Sequence, residues 1–422
     1  MSLEISKLKT IFTTKTFKAF SWYSLAQIVV QGLALLSVII VSRYLGPQNL
    51  GLLSFVQNYL ATFLTIVAGM DFYFVWKLAR TEYKEKEVVH YIGHKINIFL
   101  VITITGLVAA FLTLPHSIAI MVAIMILPSF LQSLTAFNLY STVVNKAREV
   151  ALFQIISSII LFLIKALLVH QEASLYSFII VATIDMFLTS ILFSFYYLKQ
   201  KHWRELFKQE KSPSFLESFH FVYAIKTSIV ALALWQLMLR ADQLILATFS
   251  EPYLLGIYTA AVKIAEMPNF LAGILSTALI SKISSTSLGE TNAIKKSNSQ
   301  KMIVVFLSIG IIISLGIAAL AIFIVPLLYG KEFIDSVSVL RIYAFSIPAI
   351  FLNYLFLGMY STQERYFSQI IIFGGAILLN ALLMYTLFPL YGLVGAAFST
   401  VIAYSLSAFL FYYYLLPKKV SE

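Results

Sequence analysis

The sequence predicts an all-α polytopic membrane protein of about twelve transmembrane helices in two six-helix halves, with both termini cytoplasmic. Three observations predict it. The chain is 60% hydrophobic and only 12% charged, with a mean hydropathy of +0.89, whereas a soluble domain carries about 25% charged residues. Its apolar stretches recur at lengths near the ~20 residues that a helix needs to cross hydrocarbon. Its lysines and arginines fall almost wholly on alternate connections, as the positive-inside rule requires.

In chain order, residues 1–18 form a cytoplasmic segment. Here "KLKTIFTTKTFKAF" mixes Lys7, Lys9, Lys15 and Lys18 with Ile11, Phe12 and Phe17, a pattern that suits a helix lying on an anionic membrane surface. The apolar run that follows exceeds twenty residues and has no small-residue cleavage site, so it reads as a span and not as a signal peptide. Spans are expected at 19–42, 50–76, 94–114, 117–143, 150–169 and 174–198, making an N-lobe of residues 19–198. A basic cytoplasmic linker, "KQKHWRELFKQEKSPS", covers 199–214. Spans at 219–246, 254–281, 302–325, 338–361, 366–387 and 391–416 make a C-lobe of 215–416, followed by a cytoplasmic tail at 417–422.

Orientation follows from the cations. Of the 30 lysines and arginines, 23 lie on one side, Lys77, Arg80, Lys84, Lys86 and Lys95 among them, and only Arg43 and Lys331 on the other. The net charge of +11 therefore reflects topology and contact with anionic lipid head groups, with no nucleic-acid partner. Cysteine is absent, which removes disulfides, thiolate nucleophiles and cysteine metal sites. "HYIGH" sets His90 and His94 at i,i+4 but lacks the glutamate of a zincin motif. It falls in a Lys/Glu-rich connection and reads as a solvated loop, so no metal or cofactor is expected.

"VSRYLGPQNLGLLSF" (41–55) reads as an outer turn: Gly46-Pro47 ends span 1, because proline disfavours helix in the residue before it. "TFSEPYLLGIYTA" (248–260) repeats that turn. A shift of 205 residues sets Pro47 on Pro252, Leu50 on Leu255, Gly51 on Gly256, Ser54 on Thr259 and Asn58 on Lys263. A shift near half the chain, with six spans on each side, reads as two parallel halves around a shared site.

"SRYLGPQNLG", "LLGIYTAAVKIAE" and "FPLYGLVGAAFSTVIAYSL" resemble the bacterial polysaccharide flippases, the Wzx-type branch of the multidrug/oligosaccharidyl-lipid/polysaccharide (MOP) exporter superfamily. The resemblance implies two six-helix lobes around a central cavity in a bacterial inner membrane. It implies as cargo an undecaprenyl-pyrophosphate-linked oligosaccharide unit, flipped from the cytoplasmic to the outer leaflet for surface polysaccharide such as O-antigen or capsule. Polymerase and chain-length proteins of polysaccharide assembly are the further partners it implies.

Charges inside spans cost about 2.5–3.5 kcal/mol each on insertion scales and are functional candidates by default. Lys263 and Glu266, i,i+3 in span 8, share a helical face that Thr259 extends. In span 2, Ser54, Asn58, Thr62, Thr65 and Gly69 form one stripe. Lys263, Arg43, Arg240, Asn58 and Lys226 are the expected cargo-binding residues, and Asp185 and Glu266 the expected ion-coupling residues. Lys165 is the basic residue nearest in sequence to Asp185, Arg240 has Asp242 as a neighbour for pairing, and Asp71 is expected to meet lysines at the inner interface. Arg341 and Arg43 lie near outer ends, where long basic side chains snorkel. Ser24, Gln27 and Gln31 line one face of span 1.

Three functions compete. A flippase for an anionic, hydroxyl-rich cargo suits a cavity with basic residues and many Ser, Thr, Asn, Gln and Tyr. A drug/cation antiporter of the same superfamily would favour acidic residues, and the five intramembrane cations (Lys165, Lys226, Arg240, Lys263, Arg341) argue against it. A membrane enzyme needs a sizeable loop presenting acid and base groups. The longest outer loop, 326–337, is short and the sequence has no clustered carboxylate pair, so no catalytic residues and no enzyme activity are expected.

Overall fold

In the computed structural model the backbone is described for residues 15–82, 84–144, 146–286 and 292–415. Residues 1–14 of the expected surface segment at 1–18 and the tail at 417–422 lie outside these. The described residues form helices only: α1 (Lys15–Arg80), α2 (Lys84–Thr113), α3 (His116–Ile126), α4 (Thr135–Val143), α5 (Ala147–His170), α6 (Leu175–Leu198), α7 (Lys201–Gln209) and α8 (Phe215–Ala224) come first. Then follow α9 (Lys226–Ala247), α10 (Pro252–Glu266), α11 (Asn269–Thr286), α12 (Asn292–Tyr329), α13 (Ser336–Tyr343), α14 (Ile347–Thr362) and α15 (Tyr366–Leu415). Short 3₁₀ turns cover Leu127–Leu134, Lys331–Phe333 and Ala344–Ser346.

Nine helical segments among the described residues are long and apolar enough to cross a membrane. At 1.5 Å per residue, the 66 residues of α1 would run about 100 Å, far beyond the ~30 Å of hydrocarbon. The helix breaks at Gly46, whose φ of +69° is a left-handed conformation that glycine adopts without a Cβ clash. Pro47 then opens the second half, as proline does at a first helical position. The expected outer turn is thus a one-residue break. Gly392 (φ +58°) divides α15 in the same way. Span 8 is interrupted: it divides into α10 and α11 at Met267–Pro268, since proline lacks the N–H that an unbroken helix needs. Counting the two halves of α1 and of α15, and α10–α11 as one, the helices supply the twelve expected. The loop expected over 326–337 is largely folded, with α12 running to Tyr329 and a 3₁₀ turn over Lys331–Phe333.

The contacts divide the chain into two compact units. The first holds α1 up to Tyr44, then Tyr59 to Ile229. Its core gathers Phe74, Tyr91, Phe99, Phe137, Phe193, Tyr197 and Trp203. Phe137 stacks on Tyr197 at 5.3 Å, and Trp203 meets Phe137, Tyr140 and Tyr197 edge-on. Trp203 and Leu206 lie on one face of α7 and are buried, so this linker helix turns its apolar face into protein.

The linker and α8 are docked along α2. Asn97 donates to the Pro213 carbonyl and to Ser218 Oγ, and Ser214 caps α8 reciprocally with Glu217. His94 stacks on Phe221 at 4.8 Å and bonds Ser218. His90 and Lys86 both reach Glu210, and His202 pairs with Glu85. His90 and His94 are therefore helical and occupied by contacts with the linker and α8 respectively, contrary to the solvated loop expected. The Lys86 hydrogen bond holds the half-buried Glu210 carboxyl below the usual glutamate range.

The second unit holds Leu45–Asn58 and the residues from Val230 onward. Inside it the repeat-related turns pack on each other. A Cβ built on Gly51 would lie 1.8 Å from the Pro252 carbonyl oxygen, and one on Gly256 would lie 1.8 Å from the Pro47 carbonyl oxygen. Such reciprocity, residue for residue, is the mark of a two-fold contact between equivalent elements. Both positions need glycine because backbone meets backbone there.

Candidate functional site

The second half of α1 ends its stay in the second unit at Asn58, and α9 and α10 bring their polar residues to the same place. The Asn58 side-chain amide donates to Gln243 Oε1 at 3.0 Å. Arg240 Nη1 donates to Asn58 Oδ1 at 3.0 Å. Thr259 Oγ1 donates to Gln243 Oε1 at 3.3 Å. Glu266 lies within electrostatic reach of both Lys263 and Arg240. Asn58, Gln243 and Thr259 are buried, while Arg240, Lys263 and Glu266 are half-buried. The cluster thus has a dry amide layer behind a charged, partly open one.

Local sequence explains the arrangement. Arg240 and Gln243 are i,i+3 on α9 and share a face. Asp242 is i,i+2 from Arg240 and points elsewhere. Its carboxylate accepts from the Tyr258 hydroxyl at 2.9 Å and from the Gln243 backbone N–H at 2.8 Å, so the expected Arg240–Asp242 pair does not form. Lys263 occupies the last turn of α10, where the helix dipole favours a cation. The break after Glu266 opens that helix end inside an apolar stretch, as the discontinuous helices of transporter sites do.

Of the expected cargo-binding residues, the structure gathers Asn58, Arg240 and Lys263, with Glu266 of the expected ion-coupling pair. Arg43 and Lys226 belong to the other unit and are exposed. Lys226 stands over the Tyr223 ring at 3.7 Å. Asp185 lies in that unit too, where it pairs with Lys165 at 2.8 Å. Arg341 is exposed on α13.

Two features escaped the sequence reading. Gln243 joins Asn58 to Thr259, and its signal was present: an uncharged polar residue one turn from an intramembrane arginine. Lys95 was counted among the loop cations, yet it is fully buried in α2. It donates to Asp71 at 2.8 Å and to Thr135 at 2.5 Å, and Tyr91 donates to the same Asp71 oxygen at 2.7 Å. Asp71 therefore meets a lysine as expected, but inside the bundle. A pocket of about 100 Å³ beside the linker is lined by Lys77, Glu87, His90 and His94 together with the aromatic rings of Phe74, Tyr91 and Phe221. It contains none of the expected site residues.

Among solved structures, the chain is similar to a lipid II flippase, MurJ, in an inward closed conformation, with 17% identity, TM-score 0.68, and coverage of 93% of this chain and 87% of that one. It is also similar to an inward-facing multidrug resistance MATE family transporter of the MOP superfamily, with 12% identity, TM-score 0.70, and coverage of 92% and 96%. A third match is a MOP superfamily transporter from Pyrococcus furiosus, described as having a binding pocket of reverse polarity, with 14% identity, TM-score 0.63, and coverage of 94% of each chain. These likenesses establish the fold. No curated protein matches the chain by sequence. Residues 17–287 match the polysaccharide biosynthesis protein family, well over half of the chain: it is a multi-span membrane protein of that family, built on the fold of the MOP superfamily.

Proposed function

We propose that the chain is a flippase that moves undecaprenyl-pyrophosphate-linked oligosaccharide units from the cytoplasmic to the outer leaflet of a bacterial inner membrane. It works by alternating access, coupled to an ion gradient, and serves assembly of a surface polysaccharide such as O-antigen, lipopolysaccharide or capsule. Polymerase and chain-length proteins then take the flipped unit. No covalent bond changes, so the task needs neither a catalytic group nor a cofactor.

The observation that carries this reading is the half-buried pair of cations, Arg240 and Lys263, set against a buried amide layer in a chain of the polysaccharide biosynthesis family. A pyrophosphate that leaves water loses hydration worth many kcal/mol and needs nearby cations to offset the loss. A guanidinium matches phosphate oxygens in its fork geometry, and an ammonium serves as a point charge. Glu266, next to both, is the carboxylate through which a coupling cation competes with the cargo for the same positive groups. Asp185, already paired with Lys165, is the weaker ion-coupling candidate.

The test is genetic and biochemical. Deleting the gene stops surface polysaccharide assembly and leaves lipid-linked units on the cytoplasmic leaflet. Normal polysaccharide with altered drug resistance would overturn the proposal in favour of an antiporter.

A further inference from the structure

We infer that Gln243 determines the charge of the cargo that the site accepts: through Asn58 it gives Arg240 a neutral hydrogen-bond partner, so Arg240 and Lys263 face Glu266 as two cations against one carboxylate and an anionic ligand completes the balance. The inference rests on the flippase reading and names a residue to which nothing else assigns a role.

The hydrogen bonds fix a direction. An amide offers one acceptor oxygen and one NH₂ donor. Gln243 Oε1 receives both the Asn58 amide hydrogen and the Thr259 hydroxyl. Because Asn58 gives its NH₂ to Gln243, the atom it shows to Arg240 is its oxygen, which accepts from Nη1 at 3.0 Å. Turning Asn58 over would set its NH₂ against the guanidinium and leave its oxygen facing another acceptor. Gln243, Asn58 and Thr259 are 3%, 4% and 0% exposed, so no water is at hand to repair a wrong orientation, and a misdirected buried polar group costs about 1–3 kcal/mol.

The array also withholds charge. Among the described residues Arg240 makes no ion pair. Asp242, the nearest carboxylate in sequence, is engaged by Tyr258, and Glu266 is shared with Lys263. A glutamate in place of Gln243 would accept the same two hydrogen bonds with nearly the same shape. It would differ in supplying an anion one helical turn from Arg240. An uncharged side chain at 243 is thus what keeps the guanidinium open to an external anion.

The experiment uses the purified full chain and two probes that share a prenyl tail, farnesyl pyrophosphate and farnesol, with binding followed by fluorescence of the protein's tryptophans. The wild type binds the pyrophosphate more tightly than the alcohol. Gln243→Glu lowers pyrophosphate affinity about tenfold, roughly 1.4 kcal/mol, and leaves farnesol binding unchanged. Gln243→Met, which adds no charge, keeps the preference for the pyrophosphate and so controls for packing, and Asn58→Asp, which sets a carboxylate against Arg240 directly, loses the preference and carries the test if Gln243→Glu does not fold. A wild type without preference for the pyrophosphate overturns the flippase reading and this inference with it. A wild-type preference that survives in Gln243→Glu or in Asn58→Asp, or that is lost in Gln243→Met, overturns the inference alone.

Discussion

The buried pair in the first unit gives a sharp stability prediction, because its two partners are unequally sealed. The Lys95 side chain is 0% exposed and that of Asp71 26% exposed. Asp71→Ala leaves an ammonium in the core with Thr135 Oγ1 as its remaining hydrogen-bond acceptor. Stranding one member of a buried pair costs about 3–5 kcal/mol, and the full enclosure of Lys95 sets the upper part of that range. Lys95→Met leaves a carboxylate that is partly open and still receives the Tyr91 hydroxyl, so the loss is nearer the ~1.5–3 kcal/mol of one charge-assisted hydrogen bond. The double change, Asp71→Ala with Lys95→Met, removes both charges and is expected to be more stable than Asp71→Ala alone, since an apolar replacement of a buried pair is often neutral. Thermal unfolding of the detergent-solubilised chain, followed by size-exclusion fluorescence, gives the order wild type, double variant and Lys95→Met, then Asp71→Ala. Equal losses in the two single variants, or a double variant no better than Asp71→Ala, would refute the reasoning.

Other outcomes follow from separate parts of the chain. Gly51→Ala and Gly256→Ala each place a Cβ 1.8 Å from a backbone carbonyl oxygen, so each lowers stability by about 1–3 kcal/mol through overpacking. Gly316→Ala, with nothing within 4 Å, is neutral or slightly stabilising in the same melt, as expected for alanine in a helix. Lys263→Ala inserts but transports poorly, Lys263→Arg keeps partial transport, and Lys331→Ala is near normal; recovery in Lys263→Ala with Glu266→Ala would mean that Lys263 only neutralises Glu266. The Glu210 carboxyl is held below its usual value of 4.5 by Lys86, so its contribution to linker docking is present above that pH and lost as pH falls through the lowered value. Proteolysis of the 199–214 linker should therefore rise on acidification below about pH 4.5, and an unchanged cleavage rate would contradict it.

What the sequence made legible was local. Span lengths and the Gly46-Pro47 and Pro252 turns follow from hydropathy and backbone chemistry, which act within a few residues. The shift of 205 residues equated Gly51 with Gly256, and the structure packs those two turns on each other, a contact that the repeat alone did not specify. The misreadings share a cause in the opposite direction. Lys95 looked like a boundary charge because hydropathy cannot register that Asp71 and Thr135 wait on other helices. Arg240 was set beside Asp242 by adjacency, although residues two apart leave a helix on different sides. His90 and His94 looked solvated because the linker that covers them lies over a hundred positions away. Pro268 was readable as a break in span 8 and was passed over for the strength of the surrounding apolar pattern. Gln243 drew no notice because an uncharged side chain does not stand out until its partners are known.

The central claim is that Arg240 and Lys263 carry a pyrophosphate-linked cargo across the bilayer. Its most direct test is translocation of a fluorescent prenyl-pyrophosphate-linked oligosaccharide in proteoliposomes that contain the purified chain, measured per inserted molecule. The account predicts translocation by the wild type, at least a tenfold loss in Arg240→Gln and in Lys263→Ala, and near-normal rates in Lys331→Ala. No translocation by the wild type, or equal rates in all four proteins, would contradict it.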